Sequence, residues 1–300
     1  MNIAVMIFNR LNIKFIISLS LLISIGAPEL FSQGIDIGST GEVKRIYLGI
    51  VLSPAQTGIM NTGSSVFADP ESIKKRSFFA SLEAGCFISK YLGFASGLGY
   101  SSYMSDLSLN SYSDTLNATD SDNENYERRI TGKNILENQK ITMLNIPLLI
   151  NFQYPFGAKF GVSLQTGVNF SIPVSKKFSS IGTFTYTGYY PTYKVLFSDV
   201  PYEGFQSNVE NNVEDEDLKL KSLNPELTIT GGAYFFATDK MQLSLGFFYN
   251  KLLSNLSGFE TPDDFTLSFM PDELNSIMQG SSKVTAQAIG LKVGVRYFIR

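Results

Sequence analysis

Residues 158–171 read Ala158-Lys-Phe160-Gly-Val162-Ser-Leu164-Gln-Thr-Gly167-Val168-Asn-Phe170-Ser171, and their alternation decides the fold. Phe160, Val162, Leu164, Val168 and Phe170 share one face; Lys159, Gly161, Ser163, Gln165, Gly167 and Asn169 share the other. A period of two is the mark of a strand with unlike surroundings on its two sides. The same pattern recurs over 43–53, 76–88, 91–104, 140–154, 222–236, 240–253 and 283–299. Ordinary strands run about 5–6 residues, whereas a tilted strand crossing a bilayer needs about 9–11. All eight segments reach at least that length.

The connections carry a second regularity. Ser89-Lys90, Pro155-Phe156-Gly157 and Thr238-Asp239 are short; 54–75, 105–139, 172–221 and 254–282 are long. Short and long alternate without a break, as in an up-and-down barrel with short periplasmic turns and long extracellular loops. An even strand number puts both ends of the chain on the periplasmic side. Glycines gather on the polar face (Gly49, Gly85, Gly93, Gly97, Gly99, Gly161, Gly167, Gly232, Gly246, Gly290, Gly294), with Gly231 alone on the apolar one. A narrow barrel needs such positions inside, where it curves and packs polar side chains. The expected fold class is therefore all-β: an eight-stranded antiparallel up-and-down transmembrane barrel, polar inside and apolar outside. A soluble lipocalin-like carrier in the periplasm, with the apolar face inward, competes on alternation alone.

Composition narrows the function classes. Among 300 residues there is no His, no Trp and one Cys, Cys86, with 24 Lys+Arg against 27 Asp+Glu. The missing His removes Ser-His-Asp and Cys-His catalysis and His-ligated metals. It also removes the catalytic sets of known outer-membrane barrel enzymes, so no enzyme and no cofactor is expected. One Cys excludes an internal disulfide, and Cys86 falls on the apolar face as a small hydrophobe. The acidic balance argues against a nucleic-acid partner. Phe15–Gly26 is an apolar run of 12 preceded by Arg10 and Lys14. It is too short to span a bilayer and reads as a secretory signal peptide. The expected organisation is a signal peptide over 1–32, a periplasmic segment over 33–42 and the barrel over 43–300, delivered to the outer membrane.

The last strand ends Lys292-Val-Gly294-Val-Arg296-Tyr297-Phe-Ile299, one residue short of Arg300. It resembles the terminal signal by which outer-membrane barrels are handed to their insertion machinery, with Lys292, Gly294, Tyr297 and Ile299 in the marking positions. With Leu144-Asn-Ile-Pro147-Leu-Leu-Ile150 and Val162-Ser-Leu-Gln-Thr-Gly167, the chain over 43–300 resembles the PorT-like outer-membrane barrel family of Gram-negative bacteria. The resemblance implies an eight-stranded barrel. Some family members serve protein secretion, a role that no residue here marks.

Five charges fall on the inner face: Arg45, Glu83, Glu226, Lys292 and Arg296. They either line a narrow solute path or neutralise one another and plug the lumen; the small bore of eight strands favours the plug. The long segments are acidic, including Glu214-Asp-Glu-Asp217 and Asp120-Ser-Asp122-Asn-Glu124. The latter lacks the Gly and the final Glu of an EF-hand loop, so solvated charge is the better reading and no metal is expected. Tyr186, Tyr189, Tyr190 and Tyr193 form a candidate binding surface, or else the core of a hairpin continuing above the membrane. A third possibility makes 177–197 two further spanning strands; its charge and Pro191 argue against that. Pro271–Met278 reads as a short helix packed on the rim, with Leu274, Ile277 and Met278 on one face. Expected partners are outer-membrane lipid and lipopolysaccharide, the barrel-insertion machinery, and an envelope or extracellular protein. The expected role is structural or partner-binding; a narrow channel or secretion component is the alternative.

Overall fold

The computed structural model describes residues 45–64, 66–258 and 265–299. The signal peptide and the segment 33–42 lie outside the described residues. Ten strands appear: β1 Arg45–Thr62, β2 Glu71–Phe87, β3 Leu92–Thr119, β4 Asn125–Pro155, β5 Phe160–Tyr190, β6 Val195–Phe197, β7 Val209–Asp217, β8 Asn224–Phe236, β9 Met241–Leu252 and β10 Lys283–Phe298. Eight of them close a ring in the order β4-β3-β2-β1-β10-β9-β8-β5, and β5 pairs back to β4. Every neighbour in the ring is antiparallel. β6 and β7 stand outside the ring and pair with the far end of β5.

The apolar face points outward. Leu48, Ile50, Leu82, Leu98, Leu148, Leu164, Leu245, Phe247, Leu291 and Val293 are exposed, while Glu83, Asn145, Asn151, Gln165, Asn169, Glu226 and Arg296 are buried inside. A soluble barrel reverses this arrangement, so the lipocalin-like alternative is not the one adopted. Inward glycines make room for large neighbours. The Tyr47 ring lies across Gly85, where an added Cβ would sit 2.5 Å from Tyr47 Cζ. Outward Gly231 faces open space.

Three strands run far beyond the apolar wall. β3 has 28 residues, β4 has 31 and β5 has 31. Most of the expected loop 105–139 is therefore strand, and only 120–124 turns between β3 and β4. The segment 177–190 likewise continues β5 and adds no separate spanning strand. Along β4 the parity of inside and outside holds up to Ile135 and slips by one residue at the bulge between Lys133 and Leu136, and the chemistry inverts. Lower down, Leu144, Leu148, Ile150 and Phe152 point out and Asn145 and Asn151 point in. Higher up, Ile130, Ile135, Ile141 and Met143 are buried, while Lys140 and Asn138 face outward. Hydrocarbon outside selects the first pattern and water outside selects the second.

The upper strands form a lobe with its own core. Leu107, Leu109, Tyr112, Ile130, Ile135, Phe184 and Tyr186 pack against Phe67, Phe265, Leu267, Leu274 and Ile277 from the loops after β1 and β9. The segment 271–278 is not a helix but a series of turns. Asp272 has φ +68°, and the Asn275 and Ile277 amides bond Leu267 O and Glu137 rather than carbonyls four residues back. Its apolar residues are still buried, on the rim of the barrel: Leu274, Ile277 and Met278.

Candidate functional site

The lumen is filled in layers. At the end with the tight turns, Tyr47, Phe87, Ala95, Leu149 and Phe298 cluster with Phe236. Arg45 lies over the Phe236 and Phe298 rings at 5.8 and 6.0 Å. The middle layer is ionic. Glu83 Oε1 meets Lys292 Nζ at 3.0 Å and Glu83 Oε2 meets Arg296 Nη2 at 3.5 Å. Lys292 Nζ also donates to Gln165 Oε1, and Gln165 Nε2 donates to Glu83. Arg296 stacks on the Tyr47 ring at 4.8 Å.

Glu226 sits higher and meets no cation among the described residues. Tyr103 OH donates to its Oε2, while Asn169 Nδ2 and Asn250 Nδ2 donate to its Oε1 at 2.8 and 2.7 Å. Of the five inner charges, the fold thus joins Glu83, Lys292 and Arg296 and leaves Arg45 and Glu226 apart. Beside Glu83 lies a cavity of about 70 Å³, lined also by Lys292, Ser53, Asn145 and the Asn169 and Asn250 side chains that bond Glu226. That is room for a few water molecules. Above Glu226 the bore is closed again by Ile59, Ile141, Met143, Leu218, Leu252, Leu256 and Met278.

At the top of this plug stands Glu137, which is 1% exposed. Its Oε1 accepts from Gln139 Nε2 at 2.6 Å and from Ser276 Oγ at 2.7 Å; its Oε2 accepts from the Ile277 amide at 2.7 Å. One carboxylate thereby fastens the loop after β9 to β4. No Lys or Arg pairs with it among the described residues. Burial pushes its carboxyl up to about 7, against the opposing pull of the three donors. Nothing in the sequence singled out Glu137, because 105–139 reads as solvated acidic loop. Its place between Ile135 and Ile141 on a buried face was the available sign.

Arg128 pins the lobe in a similar way. Its Nε donates to Phe269 O at 2.7 Å and its Nη2 to Gly204 O at 2.9 Å. The guanidinium is buried against the rings of Phe269, Tyr186 and Phe205 at 5.0, 5.4 and 5.6 Å. Such cation–aromatic contacts hold a charge that lacks a carboxylate partner.

The four tyrosines do not form one surface. Tyr186 is fully buried, its hydroxyl bonded to Ser268 and Asn211. Tyr190 is buried, stacked on Tyr126, and donates to Asp120 Oδ2 at 2.9 Å. Both are core residues of the lobe, so the expectation that they offer contact surface is corrected. Tyr189 is half-buried beneath Arg129 at 4.3 Å. Only Tyr193 is exposed, with its hydroxyl on Glu124. The exposed apolar side chains at the tip are instead Tyr193, Val195, Leu196, Phe197 and Tyr202, the last 87% exposed.

Asp120 shapes the β3–β4 hairpin turn. Its Oδ1 accepts from the Asp122 and Glu124 amides, both at 2.9 Å. The Glu124 amide, then the Tyr190 hydroxyl and the Asp122 amide, hold its carboxyl below the usual range. Among the described residues no group of three His, Cys, Asp or Glu is placed to hold a metal ion. In the terminal strand Lys292 and Gly294 face inward, while Tyr297 and Ile299 are exposed on the outer face.

No family model matches the chain, and no curated protein matches it. Among solved structures it is similar to OprG of Pseudomonas aeruginosa, an outer membrane protein, at 11% identity with a TM-score of 0.37, covering 88% of this chain and 100% of that one. It is also similar to Neisserial surface protein A, at 11% identity and a TM-score of 0.34, covering 84% and 96%. A third is Ail, the attachment invasion locus protein of Yersinia pestis, in complex with the heparin analogue sucrose octasulfate, at 10% identity and a TM-score of 0.28, covering 84% and 99%. At such scores these likenesses add nothing to the ring topology itself.

Proposed function

We propose that this chain is a non-enzymatic outer-membrane barrel whose closed lumen is a scaffold and whose lobe, outside the cell, binds an envelope or extracellular partner. One observation carries this reading: three of the eight strands of the lipid-facing wall continue as a lobe with its own core. The lumen below that lobe is filled by the Glu83–Lys292–Arg296 cluster and by the apolar plug, which supports a scaffold over a solute path. The partner-facing side is the tip, where Tyr193, Leu196, Phe197 and Tyr202 project. Lipopolysaccharide surrounds the wall, and the terminal strand ending in Tyr297 and Ile299 serves the insertion machinery. Residues 1–32 act as the export signal.

The test is the side and firmness of attachment. Tyr202→Cys is labelled by a membrane-impermeant maleimide on intact cells, and Thr238→Cys, in a tight turn, is labelled only after the outer membrane is opened. Planar bilayers containing the purified barrel show no single-channel steps. Release of the protein by carbonate washing, or the opposite labelling pattern, refutes the reading. Steady conductance would restore the channel alternative.

A further inference from the structure

Directly above the apolar wall, five cations face outward on three strands, β2, β4 and β5. Lys74, Lys75 and Arg76 are consecutive on β2. A regular strand would turn the middle one inward, but the β2–β3 register slips between Lys74 and Phe79. Thr57 of β1 reaches past the slip: its Oγ1 accepts from the Met104 amide at 2.9 Å. β2 is therefore parted from β3 there while it stays paired with β1 through Gln56–Arg76 and Thr57–Lys75, and a bulge of this kind re-aims side chains. All three basic side chains of the run reach the surface.

The row continues across the sheet. Met104 pairs with Lys140, and Lys140 pairs with Lys177. Like charges directly opposite one another weaken a sheet unless something answers them. Part of the charge is answered within the chain. Lys75 Nζ meets Asp106 at 2.6 Å, and Lys177 Nζ meets Asp217 at 2.9 Å. Lys74, Arg76 and Lys140 have no ion pair among the described residues.

Height is the second observation. Lys140 lies 14 residues above Tyr154, the lower end of the wall on β4 (154 − 140). A rise of about 3.3 Å per residue along a strand tilted by about 40° gives roughly 35 Å of height. The apolar band of such barrels is about 25 Å tall, so Lys140 stands about 10 Å above it. Phe78, Tyr100 and Leu144, exposed and apolar, lie immediately beneath the basic row. A surface with anion-seeking groups above and hydrocarbon-seeking groups below matches an acylated, phosphorylated lipid.

Resting on the outer-membrane reading, we propose that Lys74, Arg76 and Lys140 bind the phosphate groups of an outer-leaflet glycolipid whose acyl chains lie on Phe78, Tyr100 and Leu144. The paired lysines, Lys75 and Lys177, cancel Asp106 and Asp217, so the three unpaired cations set the net positive charge of the seat.

The experiment measures binding of bisphosphorylated lipid A to the full chain in phosphatidylcholine nanodiscs. The variant is K74Q/R76Q/K140Q; its control is K90Q/K240Q, at the tight turns. A basic residue at an anionic membrane surface is worth roughly a five-fold change in affinity. The triple variant should therefore bind on the order of 100-fold more weakly, and the control should match wild type. Heat-modifiable migration verifies that each variant is folded; if the triple variant is not, R76Q alone must show the five-fold loss. Equal binding by wild type and triple variant overturns the seat while leaving the barrel in its membrane. Displacement of lipid A by inorganic phosphate at constant ionic strength also overturns it, by revealing a free-anion site. A chain that does not float with vesicles defeats the outer-membrane reading, and the seat with it.

Discussion

Raising the pH should loosen the loop that Glu137 fastens. This carboxyl is fully buried, and its pKa rises from an ordinary value near 4.5 to about 7. A rise of that size is worth about 3 kcal/mol. The sign follows from proton linkage. Between pH 4.5 and 7 the docked loop binds a proton that the undocked loop does not, so docking weakens as pH rises through that window. Docking is strongest below pH 4.5 and levels off above pH 7. Hydrogen exchange of the Ile277 amide, which donates to Glu137 Oε2, reads this directly once the intrinsic pH dependence is removed. Protection should fall by roughly 100-fold from pH 4.5 to 8. Glu137→Gln removes the titrating group, so its protection should be nearly flat, at the cost of about 1 kcal/mol for one mismatched hydrogen bond. The reasoning is refuted if Glu137→Gln keeps the slope. It is refuted equally if wild type becomes better protected at high pH, which would mean that the three donors outweigh burial.

Three further outcomes are expected. Leu245→Arg places a charge on the lipid face and should cost about 2–4 kcal/mol near mid-membrane; Gly246→Arg should also fail to assemble, because even a Cβ there would lie 2.6 Å from Gly231 O. Normal insertion of both, judged by heat-modifiable migration, would reverse the facing assignment. Glu83→Gln strands Lys292 and Arg296 without a counter-charge and should lower barrel stability by about 3–5 kcal/mol in urea unfolding; replacing Lys292 as well with Met should recover part of that loss. Arg128→Ala removes the bonds to Phe269 O and Gly204 O, and limited proteolysis should then cut the loop after β9 faster while the barrel resists.

Much of the barrel was legible because lipid imposes a strict rule on each strand. Leu243, Leu245 and Phe247 against Gln242, Ser244 and Gly246 can be read only one way once their length is counted. The lobe was missed for the opposite reason. Above the membrane both sides of a strand meet mixed surroundings, and outward Asp, Lys, Asn and Thr residues give β3 and β4 the look of polar loop. The inward series Ile135, Glu137, Gln139, Ile141 kept the period but hid it behind polar members. Glu137 and Gln139 satisfy each other and the loop after β9, a pairing over 139 residues for Ser276 that no local pattern reveals. The tyrosines misled similarly. Ring content marked the right segment, but only tertiary packing decides that Tyr186 is core and Tyr202 is surface.

The lobe's continuity with the wall has a mechanical consequence. A loop tethered at two ends samples many orientations, and a partner that grips it must freeze them, at about 1–2 kcal/mol for each residue ordered. β3, β4 and β5 instead pass from membrane to tip within one hydrogen-bonded ladder. From Lys140 to Asn125 that ladder spans 15 residues (140 − 125), or roughly 40 Å of reach at about 2.5–3.3 Å each. The tip is thus carried on a stiff mast of fixed length and heading. Anything that grips the tip meets it already oriented, at a set distance above the apolar wall, and each rotation of the barrel turns the tip with it.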